Sequence, residues 1–239
     1  MNEIEIQRQY YTQTAEQYDK MHLTDDWEHS LALHLLAAYI ELYQIRSVLD
    51  VGSGTGRTLL WLKQRFPELV VKGIEPVAAL RQKGYEKGLT LEELVDGDAY
   101  QMPFGNNSFD LVCEFAVLHH VRHPNQVVQE MSRIASRMVC ISDCNFMGQG
   151  VLSIRLLKWL IFSLGLWSVA DRIKTRGKGY TISEGDGLAY SYSICQSLPP
   201  LRQCWKNLRL TTLNNGGSQL GQSLSASQLL VIAQGKRSE

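Results

Sequence analysis

The fold this sequence predicts is α/β, a doubly wound sheet of parallel strands with helices on its faces. Three observations predict it. Residues 47–51 form an apolar run that breaks at once into Gly52, Gly54 and Gly56, and Leu59, Leu60, Leu62 and Phe66 then resume at helical spacing. Apolar runs at 69–74, 91–95, 109–115 and 137–142 follow, separated by turns and helical patterns. Acidic residues or glycines stand at the carboxyl ends of the first three strands, where open parallel sheets bind their ligands.

A chain of 239 residues can bury a full core. It reads as one domain over 1–239, with an N-terminal helical cap at 1–44 and an insertion at 145–188. The formal net charge is zero and no long basic tract precedes residue 172, so nucleic acid is not an expected partner. The polar N-terminus lacks the apolar core of a signal peptide, which with the cysteine usage leads to an expected cytoplasmic location. The five cysteines have no C-x-x-C spacing. Cys113 and Cys140 sit in apolar runs as small hydrophobes, and Cys140 and Cys144 lack a nearby histidine pair, so no metal is expected.

Taken in order, Tyr10, Tyr11, Ala15 and Tyr18 recur at helical steps, which predicts an amphipathic helix over the first 20 residues. Residues 27–43 predict a second helix, with His34 packed among its leucines. The turn after the first strand reads D-x-G-x-G-x-G from Asp50 to Gly56. A dinucleotide fingerprint would need a third glycine where Arg57 stands. Asp50 would be a poor neighbour for phosphate and suits a cationic or amine-bearing ligand. Glu75 falls 19 residues beyond Gly56, at the tip of the second strand, where a carboxylate can accept both ribose hydroxyls. Pro76 opens the next helix, to about residue 87. Leu91 to Val95 predicts a third strand, followed by the turn Asp96-Gly97-Asp98-Ala99. Phe109 leads into strand four, whose carboxyl end brings Phe115, Leu118, His119 and His120 to the crevice; adjacent histidines cannot both face inward on a regular element. Pro124 to Ser136 predicts a helix, and residues 137–142 a fifth strand ending in Asp143.

From 145 to 188 the pattern departs from a minimal fold. Val151 to Ala170 is strongly apolar but carries Arg155 and Lys158, which argues against crossing a bilayer. It reads as a helical lid or as an interfacial helix, the latter favoured by Trp159, Trp167 and the basic residues 172, 174, 176 and 178. A helix is expected from Gly187 to about Gln196, with Tyr190 and Tyr192 pointing apart so that one enters the substrate pocket. Strands six and seven fall at 205–213 and 228–234, joined by a loop at 214–225.

Four stretches together resemble the class I S-adenosylmethionine-dependent methyltransferases, in the small-molecule branch often called type 11. They are D-V-G-S-G-T-G at 50–56, P-F-G-N-N-S-F-D-L-V at 103–112, L-H-H at 118–120 and Y-T-Q-T-A-E-Q-Y-D at 11–19. The similarity runs from about residue 10 to 139. It implies a Rossmann-like, seven-stranded, mostly parallel sheet with an antiparallel last strand and a helical insertion after strand five. It also implies a cofactor, S-adenosyl-L-methionine, held by Asp50, Gly52, Ser53, Gly54 and Gly56. Glu75 and Pro76 would meet its ribose, Asp98 and Ala99 its adenine amine, and Phe115 and Leu118 would form the pocket wall. Tyr11 and Tyr18 would close over it, excluding water and offering a π face to a sulfonium.

The activity so implied is methyl transfer to an O, N or C atom of a small metabolite, sugar-containing or lipid-linked acceptor. His119, His120 and Asp143 are the candidates for a base, and Tyr190, Tyr192 and Trp159 for acceptor contacts. Partners in this reading are the small-molecule acceptor, a peripheral membrane contact through 150–178, and a second copy in a homodimer. A non-catalytic S-adenosylmethionine-binding subunit would keep the same binding residues; a nicotinamide dehydrogenase is disfavoured by Arg57.

Overall fold

The computed structural model describes residues 2–22, 27–214 and 226–237. Helix α1 (Glu3–Thr14) opens with Asn2 as its cap: the Asn2 side chain accepts from Glu5 N–H while the Glu5 carboxylate accepts from Asn2 N–H. A 3-10 turn at Ala15–Gln17 leads to α2 (Tyr18–His22), and α3 (Trp27–Tyr43) lies before the first strand. His34 proves exposed rather than packed among leucines. Its Nδ1 donates to Ser30 O and its ring meets Trp61 edge-on, because the buried stripe of α3 falls on Ala32, Leu33, Leu36, Ala37 and Ile40.

The sheet begins with β1 (Ser47–Val51), α4 (Arg57–Arg65), β2 (Val70–Ile74), α5 (Ala78–Glu86) and β3 (Leu94–Val95). Then come β4 (Phe109–Phe115), α6 (Pro124–Ile134) and β5 (Ala135–Cys144). The expected third strand shrinks to two residues. Thr90 and Glu93 bond each other's backbone through their side chains, which commits Leu91 to Glu93 to a turn. The helix expected to reach Ser136 ends at Ile134, and β5 takes over at Ala135 because the chain there pairs with Phe109.

The insertion holds α7 (Leu152–Ser163), α8 (Trp167–Lys174), β6 (Thr181–Ser183) and β7 (Gly187–Ala189); α9 (Leu198–Cys204), β8 (Trp205–Thr212) and β9 (Gln228–Lys236) complete the described chain. The helix expected from Gly187 is absent. Gly187 sits at φ +70° and pairs with Ser183 as a hairpin strand, and a 3-10 turn at Ile194–Ser197 is all the helix formed before α9. Residues 215–225 of the expected loop lie outside the described residues.

Seven strands form one sheet in the order β3-β2-β1-β4-β5-β9-β8, with β1 to β5 parallel and β9 antiparallel to both its neighbours. The expected fold class is the one observed. Alternation along the strands divides the core. Leu49, Val51 and Val112 pack on one face with Val127, Met131 and Trp205, whereas Val48, Leu111 and Cys113 pack on the other with Leu36, Leu59 and Leu62. Trp205 is fully buried and its indole N–H donates to Ser132 Oγ, so the large ring enters without an unpaired donor. The order reverses between β1 and β4, and the crevice beyond their carboxyl ends is where a doubly wound sheet places its ligand.

Candidate active site

The site begins with the glycine turn between β1 and α4. Gly52, Gly54 and Gly56 all have positive φ, at 71°, 55° and 76°. A Cβ on Gly52 would lie 2.5 Å from Val117 Cγ2, and one on Gly54 would lie 2.9 Å from Tyr18 Oη, so both positions need glycine twice over. Four amides of this turn are already engaged. Gly52 and Ser53 N–H donate to Ile74 O, Gly54 N–H to Glu75 Oε2 and Gly56 N–H to Ser53 O. A loop with its donors turned inward is not built for a pyrophosphate, which agrees with the reading of Arg57.

What the turn offers instead is acid. Asp50 is buried beside it, and burial, reinforced by nearby Glu75, raises its pKa to about 7 against the hydrogen bond from Ser53. Glu75 is also raised to about 7 by burial, although it accepts from Val77 and Gly54 N–H. Those two bonds leave it further acceptor sites for ligand hydroxyls. Asp98, after β3, accepts from Tyr100 N–H and lies 3.7 Å from Arg8 on α1.

These groups converge on one cavity of about 570 Å³, large enough for a cofactor together with a small ligand. Of the residues expected to bind cofactor, Tyr11, Tyr18, Asp50, Gly52, Ser53, Glu75, Pro76, Asp98, Ala99 and Phe115 line it. Gly54 and Gly56 shape the turn behind the wall, and Leu118 is buried in the core beneath it. The N-terminal segment is latched over this cavity. Asp19 accepts from Thr55 Oγ1 of the glycine turn and pairs with Lys87, while Glu3 pairs with Arg122 at 2.7 Å.

The second half of the site is built on two histidines. His119 is buried with Nδ1 2.7 Å from Asp143 Oδ1 and Nε2 3.3 Å from Asp186 Oδ2. Burial opposes its charge, but the two carboxylates overcome that and raise its pKa to about 10. His119 is therefore a fixed cation with both ring nitrogens protonated, and it does not reach the cavity wall. Asp143, a candidate base by sequence, is fully buried instead: besides His119 it accepts from Leu118 N–H at 2.7 Å, so it positions the loop after β4 from below. Glu114 lies on β4 with its Oε1 unpartnered among the described residues, and burial with Asp143 raises its pKa well above the usual range.

His120 does reach the cavity. Its Nδ1 lies 2.7 Å from Leu188 O, which accepts only, so that nitrogen holds a proton. Nε2 lies 3.0 Å from Tyr11 Oη and 3.4 Å from Asp186 Oδ1. Asp186 thus serves both histidines, and their bonds hold its pKa far below the usual range against its burial. Sequence reasoning missed Asp186 and Gln7, the latter accepting from Leu188 N–H. Both act across more than 60 residues of chain, and only the β6–β7 hairpin brings Asp186 under His120. Both histidines and Asp186 place ligand-type atoms within 4.8 Å of one another, a set able to hold a metal, yet ion pairs already account for the arrangement.

Of the expected acceptor contacts, Tyr190 lines the cavity. Tyr192 does not: it is buried in the core, its hydroxyl 2.7 Å from Ser197 Oγ, because the extended chain after β7 turns alternate residues to opposite sides. Trp159 is also displaced from the site, on the outer part of α7 and 38% exposed. Ala116, at φ +60° in the cavity wall, is a further feature no pattern announces.

Comparison with known proteins agrees with this geometry. Residues 49–137 match the family model of a methyltransferase domain. The chain is 33% identical over 113 residues to demethylmenaquinone methyltransferase of Deinococcus radiodurans, covering 45% of this chain and 44% of that protein. It is 36% identical over 95 residues to phosphatidylethanolamine N-methyltransferase of Cereibacter sphaeroides, covering 38% and 45% respectively. The matches thus span less than half of either relative. A crystal structure of an S-adenosylmethionine-dependent methyltransferase from Thermotoga maritima superposes with a TM-score of 0.63 at 14% identity, over 95% of this chain and 98% of that one, which establishes the fold. Taken with the glycine turn and the sheet order, the chain has the fold of the class I S-adenosylmethionine-dependent methyltransferases, and its residues 49–137 are similar to a methyltransferase domain.

Proposed function

We propose that the protein transfers a methyl group from S-adenosylmethionine to a small-molecule acceptor, with His120 as the base. One observation carries this reading: a single cavity joins the glycine turn, Glu75 and Asp98 to the imidazole of His120. The residues present fit the cofactor. Two buried acids with raised pKa values favour a ligand bearing positive charge and hydroxyl donors, and a Cβ at Gly52 or Gly54 would fill the cradle. Asp50 and the turn would hold the amino-acid end, Glu75 the ribose and Asp98 the adenine amine. Bound there, S-adenosylmethionine would supply a methyl group activated on a sulfonium.

The chain's own part is placement and proton handling. Tyr11 and Tyr18 exclude water, and the walls hold the acceptor for in-line attack. His120 Nε2 takes the acceptor's proton in place of the Tyr11 hydroxyl, and Asp186 stabilises the imidazolium that results. An oxygen or nitrogen acceptor suits this base. The exposed apolar helices beside the cavity favour a lipid-linked acceptor over a sugar-containing one. The test is incubation with methyl-labelled S-adenosylmethionine and fractionated metabolites. Label should enter a small-molecule product with the wild type and not with His120→Ala. Cofactor binding without label transfer to any fraction would favour a non-catalytic binding subunit.

A further inference from the structure

Helices α7 and α8 contain no buried residue. Leu156, Leu160 and Ile173 are 63%, 56% and 74% exposed, and Val151, Leu152, Leu157, Leu164, Leu166 and Val169 are each more than half exposed. Such a continuous apolar surface is uncommon on a protein that faces only water. The orientation of α7 is the informative part. Its partly covered line is Arg155, Lys158 and Ile161, and its charged side chains turn toward the domain. Arg155 Nε donates to Gly150 O at 2.7 Å, and Lys158 Nζ donates to Phe146 O at 2.6 Å and Gln149 O at 3.0 Å. The helix is held by its polar side and presents its apolar side outward, the reverse of an ordinary surface helix.

We propose that the α7–α8 hairpin docks on an anionic lipid surface. Charge selects this occupant. Residues 151–178 hold six basic residues and one acidic residue in a chain whose net charge is zero. Arg172, Arg176 and Lys178 are exposed and form no ion pair among the described residues. Apolar side chains bordered by free cations match an acyl region bordered by anionic headgroups. A second copy docked through the same face would set these cations against their own kind. Among the described residues no helix can cross a bilayer, and the 12 residues of α7 span about 18 Å at 1.5 Å per residue, so the hairpin lies in the interface.

The surface also lies beside the site. Asp171 and Lys174 of α8 both bond Ser191 Oγ, at 2.5 and 2.9 Å, next to Tyr190 of the cavity wall. Docking would therefore bring that wall to the membrane, where an acceptor with an apolar tail could enter without crossing water. This use of the surface rests on the proposed transferase; the binding itself does not.

Sedimentation of the full chain with vesicles tests it. Wild type should pellet at low salt with phosphatidylcholine–phosphatidylglycerol vesicles and stay in solution with phosphatidylcholine alone. Leu156→Ser/Leu160→Ser/Ile173→Ser and Arg172→Glu/Arg176→Glu/Lys178→Glu should each lose binding by about tenfold or more. All substituted side chains are exposed, and unchanged circular dichroism and S-adenosylmethionine affinity would show both variants folded and the cofactor site intact. Wild type in the supernatant with both vesicle types would overturn the proposal. So would a wild-type dimer, seen by light scattering, that the apolar variant converts to monomer without any vesicle binding.

Discussion

The rim of the sheet and the inserted hairpin treat their side chains in opposite ways. At the rim, Asp50 and Glu75 are carboxylates enclosed by the fold, each 5% exposed or less. On α7 and α8, leucines, isoleucine and tryptophan face outward while Arg155 and Lys158 turn in. Each arrangement costs stability taken alone, since buried acids lose hydration and exposed apolar groups order water. The two costs point in different directions. Acids around a cavity are relieved by a ligand that brings positive charge and donors, whereas an apolar surface is relieved by a partner that covers it. In both regions the feature that looks unfavourable in the isolated chain names the chemistry of what is missing.

The largest test of this contrast is kinetic. His120→Ala should lower kcat by roughly 10²- to 10⁴-fold while leaving cofactor affinity within about twofold, because the ring serves proton transfer and not the cofactor end of the cavity. Asp186→Asn should act in the same direction but less, and should move the acid limb of the pH–rate profile, which loss of packing alone would not do. A core comparison comes next. Leu111→Ala, fully buried between the β1 and β5 neighbours, should destabilise by about 2–5 kcal/mol in denaturant unfolding. Leu156→Ala, on the outer side of α7, should change stability by no more than about 0.5 kcal/mol. Equal losses at the two leucines would erase the distinction between core and docking surface.

A smaller effect follows from the acids. Asp50 and Glu75 have pKa values near 7 when folded, above their unfolded values of 3.8 and 4.5. The folded state therefore holds protons that the unfolded chain gives up, and the free protein should lose stability as pH rises from about 4 to 7. A cationic ligand favours the ionised acids, so the thermal shift given by S-adenosylmethionine should be larger at pH 8 than at pH 6. A shift that shrinks across that interval would place the charge elsewhere.

Much of this was legible in the sequence because it is local. The glycine turn, the acid at the tip of β2 and the alternation of strands with helices each lie within a few residues, and the structure places them as their spacing requires. The third strand was overestimated because apolar propensity at Leu91 loses to the side-chain–backbone bonds of Thr90 and Glu93. Tyr190 and Tyr192 are expected to point apart, but residue type does not say which of them enters the pocket, nor does it report the direction of Trp159. Asp186 could not be found at all: a lone aspartate between glycines gains its role only when the β6–β7 hairpin folds against α1 and the loop after β4. The outward turn of α7 is legible only in part, since its apolar residues announce a helix that must be covered but not which side the domain covers.

The account's central claim is that the rim of the sheet is an S-adenosylmethionine site, and isothermal titration of the full chain tests it most directly. Wild type should bind one equivalent of S-adenosylmethionine or its demethylated product. Glu75→Ala should lose that binding because its carboxylate both receives the ligand and ties down Gly54 and Val77. Gly54→Val should lose it because the new side chain would enter the space of Tyr18. Undiminished affinity in both variants, or tighter binding of a nicotinamide dinucleotide by the wild type, would contradict the claim.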